Sequence, residues 1–372
     1  MTSRQHHDSR ILILHDWLNV KDGGAERVLY HLLELYPQAD VATLIYDAAK
    51  FGEQLAGRNV RTSFLQRFPR RLKAQPQMLL PFVRRAVEGL PTKGYDLVIA
   101  SSTAWVKNAP LYGKTRMLVY CHTPARMLWD YWPRSVTERT DNQLVRLAVT
   151  RLASSLRLWD YYESQNSRRT FVANSRTVQQ RIAKFYHRQA QVIYPPVEIP
   201  PIAAVDKDGT YLVVSVLAAY KNIDTIMRAF FDTKRTLLIA GDGPEREALQ
   251  ALGRGRTNIR FLGRVSDADK YRLMRQASGF MFANREDFGI TPVEAIGCGT
   301  PVIALRGGGV SETMVEHVTA EFFDELTPGA IRKAIEAAEV REWSVAKLHR
   351  RAKRFDEAHF ASDIRAAVEK LV

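Results

Sequence analysis

Glu286 and Glu294 stand eight positions apart and enclose Asp287-Phe288-Gly289-Ile290-Thr291-Pro292-Val293. Two carboxylates so placed suit recognition of hydroxyl groups. Gly289 lets backbone amides approach a ligand closely, and a helix N-terminus beside it favours the charge of a diphosphate. These residue types meet the needs of a sugar-nucleotide site: acceptors for ribose and hexose hydroxyls, and amides for the phosphates. The same residues admit a plainer reading. Thr291, Pro292 and Glu294 fit Ncap, N1 and N3 of a capping box, in which Glu294 only closes a helix.

Other groups invite the same double reading. His122, in Tyr120-Cys121-His122-Thr123-Pro124-Ala125-Arg126, is expected at a strand terminus, either structural or engaged in proton chemistry. His15 and Asp16 are expected at the end of the first strand. Gly23 and Gly24, in Val20-Lys21-Asp22-Gly23-Gly24-Ala25-Glu26-Arg27-Val28, either turn backbone N–H groups toward an anion or make an ordinary strand-to-helix turn. Gly307-Gly308-Gly309 is a further candidate backbone nest. Asp267-Ala268-Asp269 imitates a DxD metal motif, but Ser266 and Asp269 fit a helix cap and its N3 position, so no metal ion is expected. Trp129, Tyr131 and Trp132 offer either a stacking surface for a sugar or core filling.

These residues need strand ends and helix starts to hold them. Short β-rich runs occur at Ile11–His15, Val41–Tyr46, Leu97–Ser101, Met117–Cys121, Thr170–Ala173 and Gln191–Tyr194. A second series follows at Tyr211–Leu217, Thr236–Ala240, Ile259–Leu262, Gly279–Ala283, Pro301–Leu305 and Glu321–Phe323. Helical patterns fill the gaps, among them Ala25–Leu35, Ser175–Tyr186, Ile223–Phe231, Glu245–Ala251, Asp267–Gln276 and Pro292–Ile296. Alternation of this kind predicts an α/β protein with two doubly wound, Rossmann-like domains. Tyr194-Pro195-Pro196-Val197-Glu198-Ile199-Pro200-Pro201 reads as the hinge, because its prolines cannot continue a helix or a central strand. The expected domains are residues 1–197 and 198–354, with a terminal helix at about 355–372 able to pack on either.

Composition narrows the class. The 372 residues are 46% hydrophobic and 25% charged, an ordinary globular balance. A net charge of +14 favours anionic partners. The longest apolar run, Tyr211–Tyr220, is too short to cross a bilayer, and no secretory segment is read at the N-terminus. Cys121 and Cys298 are far apart, which gives no disulfide framework or thiolate metal site. A cytoplasmic protein is expected. Neither a nucleic-acid motif nor a zinc module is present in the sequence, so nucleic acid is not an expected partner.

The Glu286/Glu294 pair with Phe288-Gly289-Ile290-Thr291-Pro292 between them resembles the E-x7-E motif of the retaining nucleotide-sugar glycosyltransferases of family 4. The resemblance implies the GT-B fold, two Rossmann-like domains facing each other across a cleft. It implies that Glu286 contacts the donor sugar, that Glu294 contacts the ribose, and that the amides of Phe288, Gly289 and Ile290 meet sugar hydroxyls and phosphate. Gly23-Gly24 looks like the family's N-terminal glycine-rich loop, with His15 and Asp16 then on the acceptor side. His122-Thr123-Pro124 resembles a segment at the donor-sugar pocket of members that make O-antigen and other surface polysaccharides. Lys221 matches the lysine that neutralises the diphosphate, or is a solvated surface lysine. Gly263-Arg264-Val265 resembles the nucleobase loop, and Gly241-Asp242-Gly243-Pro244 a neighbouring turn. The resemblance thus assigns catalysis to Glu286, His122 and Lys221, and donor binding to Gly23, Gly24, Lys221, Arg264, Val265, Phe288, Gly289, Ile290 and Glu294. One departure stands out: Val216 occupies the place of the family arginine, so either Arg285, Arg264 or Arg306 compensates or donor binding is weakened.

The implied activity is retaining, metal-independent transfer of a hexose from a nucleoside diphosphate sugar, with GDP-mannose favoured, to a polyprenyl-linked or oligosaccharide acceptor in surface polysaccharide synthesis. The donor is a co-substrate and no cofactor is expected. A UDP-sugar donor and a GT-B sugar-nucleotide epimerase are the alternatives. From Arg58 to Lys93 the chain carries Arg58, Arg61, Arg67, Arg70, Arg71, Lys73, Arg84, Arg85 and Lys93 against Glu88, interleaved with Phe64, Phe68 and Phe82. This is either a solvated basic face or a surface for an anionic membrane, with peripheral binding on the inner face of the cell membrane as the expectation.

Overall fold

The computed structural model describes residues 9–19, 23–73, 76–130, 142–203 and 205–371; Val20, Lys21, Asp22, Tyr131 and Trp132 lie outside them. The chain divides into two units, Met1–Pro196 with Phe360–Val372, and Val197–His359. The break falls one residue before the expected 197/198 boundary.

In the first unit, β1 (Ile11–Leu18), β2 (Asp40–Tyr46), β3 (Val60–Thr62), β4 (Leu97–Ser102), β5 (Arg116–Cys121), β6 (Arg169–Ala173) and β7 (Ala190–Val192) form one sheet in the order β3-β2-β1-β4-β5-β6-β7. Every pairing is parallel. Strand alternation gives the sheet two apolar faces. Leu12, Leu14, Ala42, Leu44, Val98 and Ala100 pack on one side with Val83, Leu156 and Trp159. Ile11, Ile13, Val41, Leu97 and Ile99 pack on the other, under Val28, Leu29 and Leu32 of the helix Gly24–Leu35 and under Phe360, Ile364 and Val368 of the terminal helix Glu357–Glu369.

The second unit places β8 (Thr210–Val214), β9 (Thr236–Ala240), β10 (Ile259–Gly263), β11 (Gly279–Phe282), β12 (Val302–Leu305) and β13 (Ala320–Phe323) in the parallel order β10-β9-β8-β11-β12-β13. Both sheets are therefore doubly wound, as the strand–helix alternation predicts. Strand order reverses between β1 and β4 in one and between β8 and β11 in the other. Open α/β sheets bind ligands beyond the carboxyl ends of strands at such switch points.

Four features differ from the sequence reading. β1 runs on to Leu18, so His15 and Asp16 lie within the strand rather than at its end. β3 is an extra edge strand of three residues, too short for a periodic signal. The helix Gln143–Ser164 fills a stretch where no element is read from the sequence; Leu144, Val145, Leu147, Leu158 and Tyr162 are exposed on it, which blurs its apolar stripe. The proline-rich stretch is also less free than a linker, because Val197 N–H donates to Phe355 O at 3.0 Å.

Candidate functional site

The second-unit switch point is built from two turns. After β8 the chain passes through a short turn, Ala219–Lys221, and enters the helix Ile223–Phe230. Asn222 makes that junction in the left-handed region, φ 54°, and its amide donates to Ala283 O at 2.7 Å. The hydrogen bond ties the Lys221 turn to the end of β11. Lys221 Nζ in turn donates to Glu286 Oε1, and Asn284 Nδ2 donates to the same oxygen at 2.9 Å. Glu286 is partly exposed, whereas Asn284 is buried. A carboxylate, an ammonium and an amide thus converge where the sheet reverses.

The glutamates differ sharply in surroundings. The helix after the acidic loop spans Ile290–Gly297, and Gly289 (φ 85°) is its N-cap. Thr291 is consequently inside the first turn, and Glu294 sits two residues beyond the N3 position. The capping-box reading of Glu294 fails for that reason. Its carboxylate, 1% exposed, accepts from Lys270 Nζ at 2.9 Å and lies 3.4 Å from Tyr271 Oη. Lys270 also reaches Asp267 at 2.8 Å, and Tyr271 donates to Glu198 at 3.1 Å. A buried carboxylate is tolerable only with such partners. Asp267 and Asp269 point to different cations, Lys270 and Arg272, and Ser266 caps the helix Asp267–Gln276 by accepting from Asp269 N–H at 3.1 Å. The DxD-like segment is a helix start.

Glycines let the loops meet backbone to backbone. Gly309 N–H donates to Glu286 O at 2.8 Å, and a Cβ on Gly309 would collide with the Phe288 backbone, one on Gly308 with Glu286 O. Gly307-Gly308-Gly309 is thus the floor of the acidic loop. On the β8 side, Gly241 (φ 135°) lies against Ser215 O, and its N–H donates to Gly263 O at 2.7 Å. The Ser215, Gly241 and Gly263-Arg264-Val265 loops are adjacent at the ends of β8, β9 and β10. Phe288 is buried with its ring against Phe355, 5.7 Å between centroids.

Among the cations named as standing in for the arginine at Val216, Arg306 is already engaged by two carboxylates. Its guanidinium pairs with Glu316 and Asp324, both at 2.6 Å, which hold it well above the ordinary arginine range. Arg264 is exposed, with Nε 3.9 Å from Asp242. Arg285 lies over Gly307.

Residues 22–199 match the family model described as Glycosyltransferase Family 4, and residues 197–355 match that described as Glycosyl transferases group 1. The chain belongs to the family 4 glycosyltransferases. Relatives of this glycosyltransferase include the D-rhamnosyltransferase WbpZ of Pseudomonas aeruginosa, 32% identical over 131 residues, which are 34% of each chain. A phosphatidyl-myo-inositol mannosyltransferase of Mycobacterium leprae is 34% identical over 155 residues, 39% of this chain and 40% of that one. The chain thus spans between a third and two-fifths of the length of these curated relatives. Among solved structures, Anabaena Alr3699/HepE in complex with UDP matches with a TM-score of 0.68 at 20% identity, over 97% of this chain and 100% of that one, a likeness of fold. The glycosyltransferase has the GT-B fold.

The glycosyltransferase's first unit holds the remaining sequence candidates at the β1/β4 switch point. His15 pairs in register with Ser101 of β4, and Ser101 with Tyr120 of β5. Ser101 Oγ lies 3.2 Å from His15 Nδ1 and 2.9 Å from His122 Nε2, and His15 Nε2 lies 3.6 Å from Glu26 Oε1. All four residues are buried. Burial, reinforced by His15, pushes the His122 imidazole down to about 3. Gly23 is the N-cap of the Gly24–Leu35 helix, and a Cβ there would collide with Glu26 Oε2.

Asp16 corrects the expectation of an acceptor-facing group. Completely buried, it accepts from the N–H groups of Thr103, Ala104, Trp105 and Val106 at 2.5 to 2.8 Å, and from the Thr103 hydroxyl at 3.0 Å. It anchors the loop after β4. Trp129 is likewise a packing residue: it stacks on Phe185 at 5.1 Å and donates to the buried Asp160 at 2.8 Å. Sequence reasoning missed Asn284, Lys270, Tyr271, Ser101 and Glu26 as members of these clusters. Ser101-Ser102 carried a signal, two hydroxyls ending an apolar strand.

Proposed function

We propose that this glycosyltransferase moves a hexose, retaining its anomeric configuration and without a metal ion, from a nucleoside diphosphate sugar to an acceptor hydroxyl. The convergence of Lys221, Asn284 and Glu286 at the β8/β11 switch point carries the reading. Glu286 receives donor hydroxyl protons in hydrogen bonds, while Lys221 moves its charge from Glu286 to the diphosphate as the donor enters. Amides at the start of the Ile290–Gly297 helix favour the same negative charge. Glu294, fixed by Lys270 and Tyr271, presents an acceptor to the ribose. In the transfer the C1–O bond to the diphosphate breaks, a C1–O bond to the acceptor oxygen forms on the same face, and the acceptor proton passes to the departing phosphate oxygen. The fixed positive charge stabilises that leaving group. Arg285 and Arg264 are the residues proposed to stand in for the arginine replaced by Val216.

GDP-mannose is the proposed donor, and a polyprenyl-linked or oligosaccharide chain in polysaccharide or glycolipid synthesis the proposed acceptor; the mannosyl and rhamnosyl transfer named for the relatives supports this choice. A thermal-shift and transfer screen of GDP-, UDP- and ADP-sugars tests it. Stabilisation and turnover with GDP-mannose are expected, and a response only to a UDP-sugar would replace the donor.

Peripheral binding to an anionic leaflet of the cell membrane, from the cytoplasmic side, is proposed for the basic stretch. There Phe64, Met78 and Phe82 are exposed, and Phe68 joins the two phenylalanines by edge contacts of 6.0 and 5.3 Å. Arg84 and Arg85 are exposed on the same short helix, Leu80–Glu88. Among the described residues, no helix is long and apolar enough to cross a membrane. Co-sedimentation with phosphatidylglycerol vesicles that falls with salt is expected; sedimentation indifferent to anionic lipid would remove the proposal.

A further inference from the structure

The buried row Glu26, His15, Ser101, His122 contains more donors and acceptors than its geometry leaves free to choose. Ser101 has one hydroxyl proton and touches a ring nitrogen on either side, His15 Nδ1 at 3.2 Å and His122 Nε2 at 2.9 Å. It can donate to one of them only, and must accept from the other. Two arrangements satisfy both contacts. In one, Ser101 donates to His15 Nδ1 and accepts from His122 Nε2–H. In the other, Ser101 donates to His122 Nε2 and accepts from His15 Nδ1–H.

Glu26 breaks the tie. Its Oε1 lies 3.6 Å from His15 Nε2, too long for a hydrogen bond yet close for charges inside a protein. Side-chain exposure there is 2% for His15 and 12% for Glu26, so little water stands between them to screen the pair. A neutral His15 with its proton on Nδ1 would aim the Nε2 lone pair at a carboxylate; one with its proton on Nε2 aims an N–H there instead. Glu26 is itself fixed. It stands at the N3 position of the Gly24–Leu35 helix, where an acid is favoured, and its other oxygen fills the space a Gly23 side chain would take. The choice at His15 then passes through Ser101 to His122.

We infer that Glu26 is a positioning residue that sets the hydrogen-bond polarity of the row, so that neutral His122 carries its proton on Nε2 and presents Nδ1 as an acceptor. No second side chain hydrogen-bonds the His122 ring among the described residues. An acceptor at that nitrogen receives a hydroxyl proton from a sugar and offers nothing to a ring oxygen or a carbonyl. That consequence for substrate rests on the proposed function; the tautomer does not.

Long-range ¹H–¹⁵N spectra of histidine-labelled full-length protein, without donor, read the tautomers directly, with signals assigned by their loss in His15→Asn and His122→Asn. The expected result is Nε2-protonated forms at both His15 and His122. Glu26→Gln, whose amide can donate to His15 Nε2, is expected to shift His122 toward the Nδ1–H form and to lower kcat/KM roughly tenfold, about one hydrogen bond. Glu26→Asp is expected to keep the wild-type tautomer. A wild-type His122 protonated on Nδ1 overturns the inference, as does a Glu26→Gln spectrum with unchanged tautomers. Loss of transfer in wild type with the expected tautomers would instead count against the proposed function.

Discussion

The Lys221 ammonium donates to Glu286 Oε1 at the point where the second sheet reverses direction, and Asn284 Nδ2 donates to the same oxygen at 2.9 Å. Neither partner reaches this position through its own strand alone. Asn222, in a left-handed conformation, bonds to Ala283 and fixes the spacing of the two turns. The ion pair is partly open to solvent, so the lysine can exchange a carboxylate for a diphosphate without being stranded in a dry interior.

Gly309 supports Glu286 from below. Its φ of −63° suits any residue, and only space forbids a side chain, because a Cβ would meet the Phe288 backbone. Gly309→Ala is therefore expected to push the loop outward, lowering kcat about 10²-fold and the melting temperature with it, because the clash is with backbone. Paired kinetic and calorimetric measurements check this; wild-type turnover would show that the floor does not position Glu286.

Glu294 has structural and binding consequences together. Glu294→Ala leaves Lys270 buried opposite no carboxylate but that of Asp267, and is expected to lose roughly 3 kcal/mol of stability in urea unfolding. Because the proposed contact is with ribose, affinity for a nucleoside diphosphate should fall in calorimetry while that for pyrophosphate holds. Equal losses for both ligands would show that Glu294 acts only through the fold.

The buried histidine predicts an acid-side slope. Its imidazole is held down to about 3, whereas an unfolded histidine titrates near 6.5. Between those values the unfolded chain takes up a proton that the folded chain refuses, so stability falls as pH drops, by up to about 1.4 kcal/mol per unit. Urea unfolding from pH 7 to 4 should be less steep in His122→Asn. Parallel curves would mean that other groups govern acid unfolding.

Much of this was legible in the residues. Strand–helix alternation gave both doubly wound sheets, and the Glu286-to-Glu294 spacing located the loop that meets Lys221. What escaped notice has physical causes. Asp16 looks like a site residue because it is a charge beside a histidine, but four amides of the loop after β4 already occupy its carboxylate. Lys270 and Ser101 lie far in sequence from the residues they serve, and only packing brings them together. The capping-box pattern at Thr291 misled because Gly289 starts the helix earlier than a threonine cap would.

Turnover of a nucleoside diphosphate hexose by wild type and by Glu286→Ala, measured with bound nucleoside diphosphate and melting temperature as controls, tests the central claim most directly. A loss of at least about 10²-fold in kcat, with nucleotide still bound and the fold retained, is expected. Equal turnover by the two proteins would contradict it.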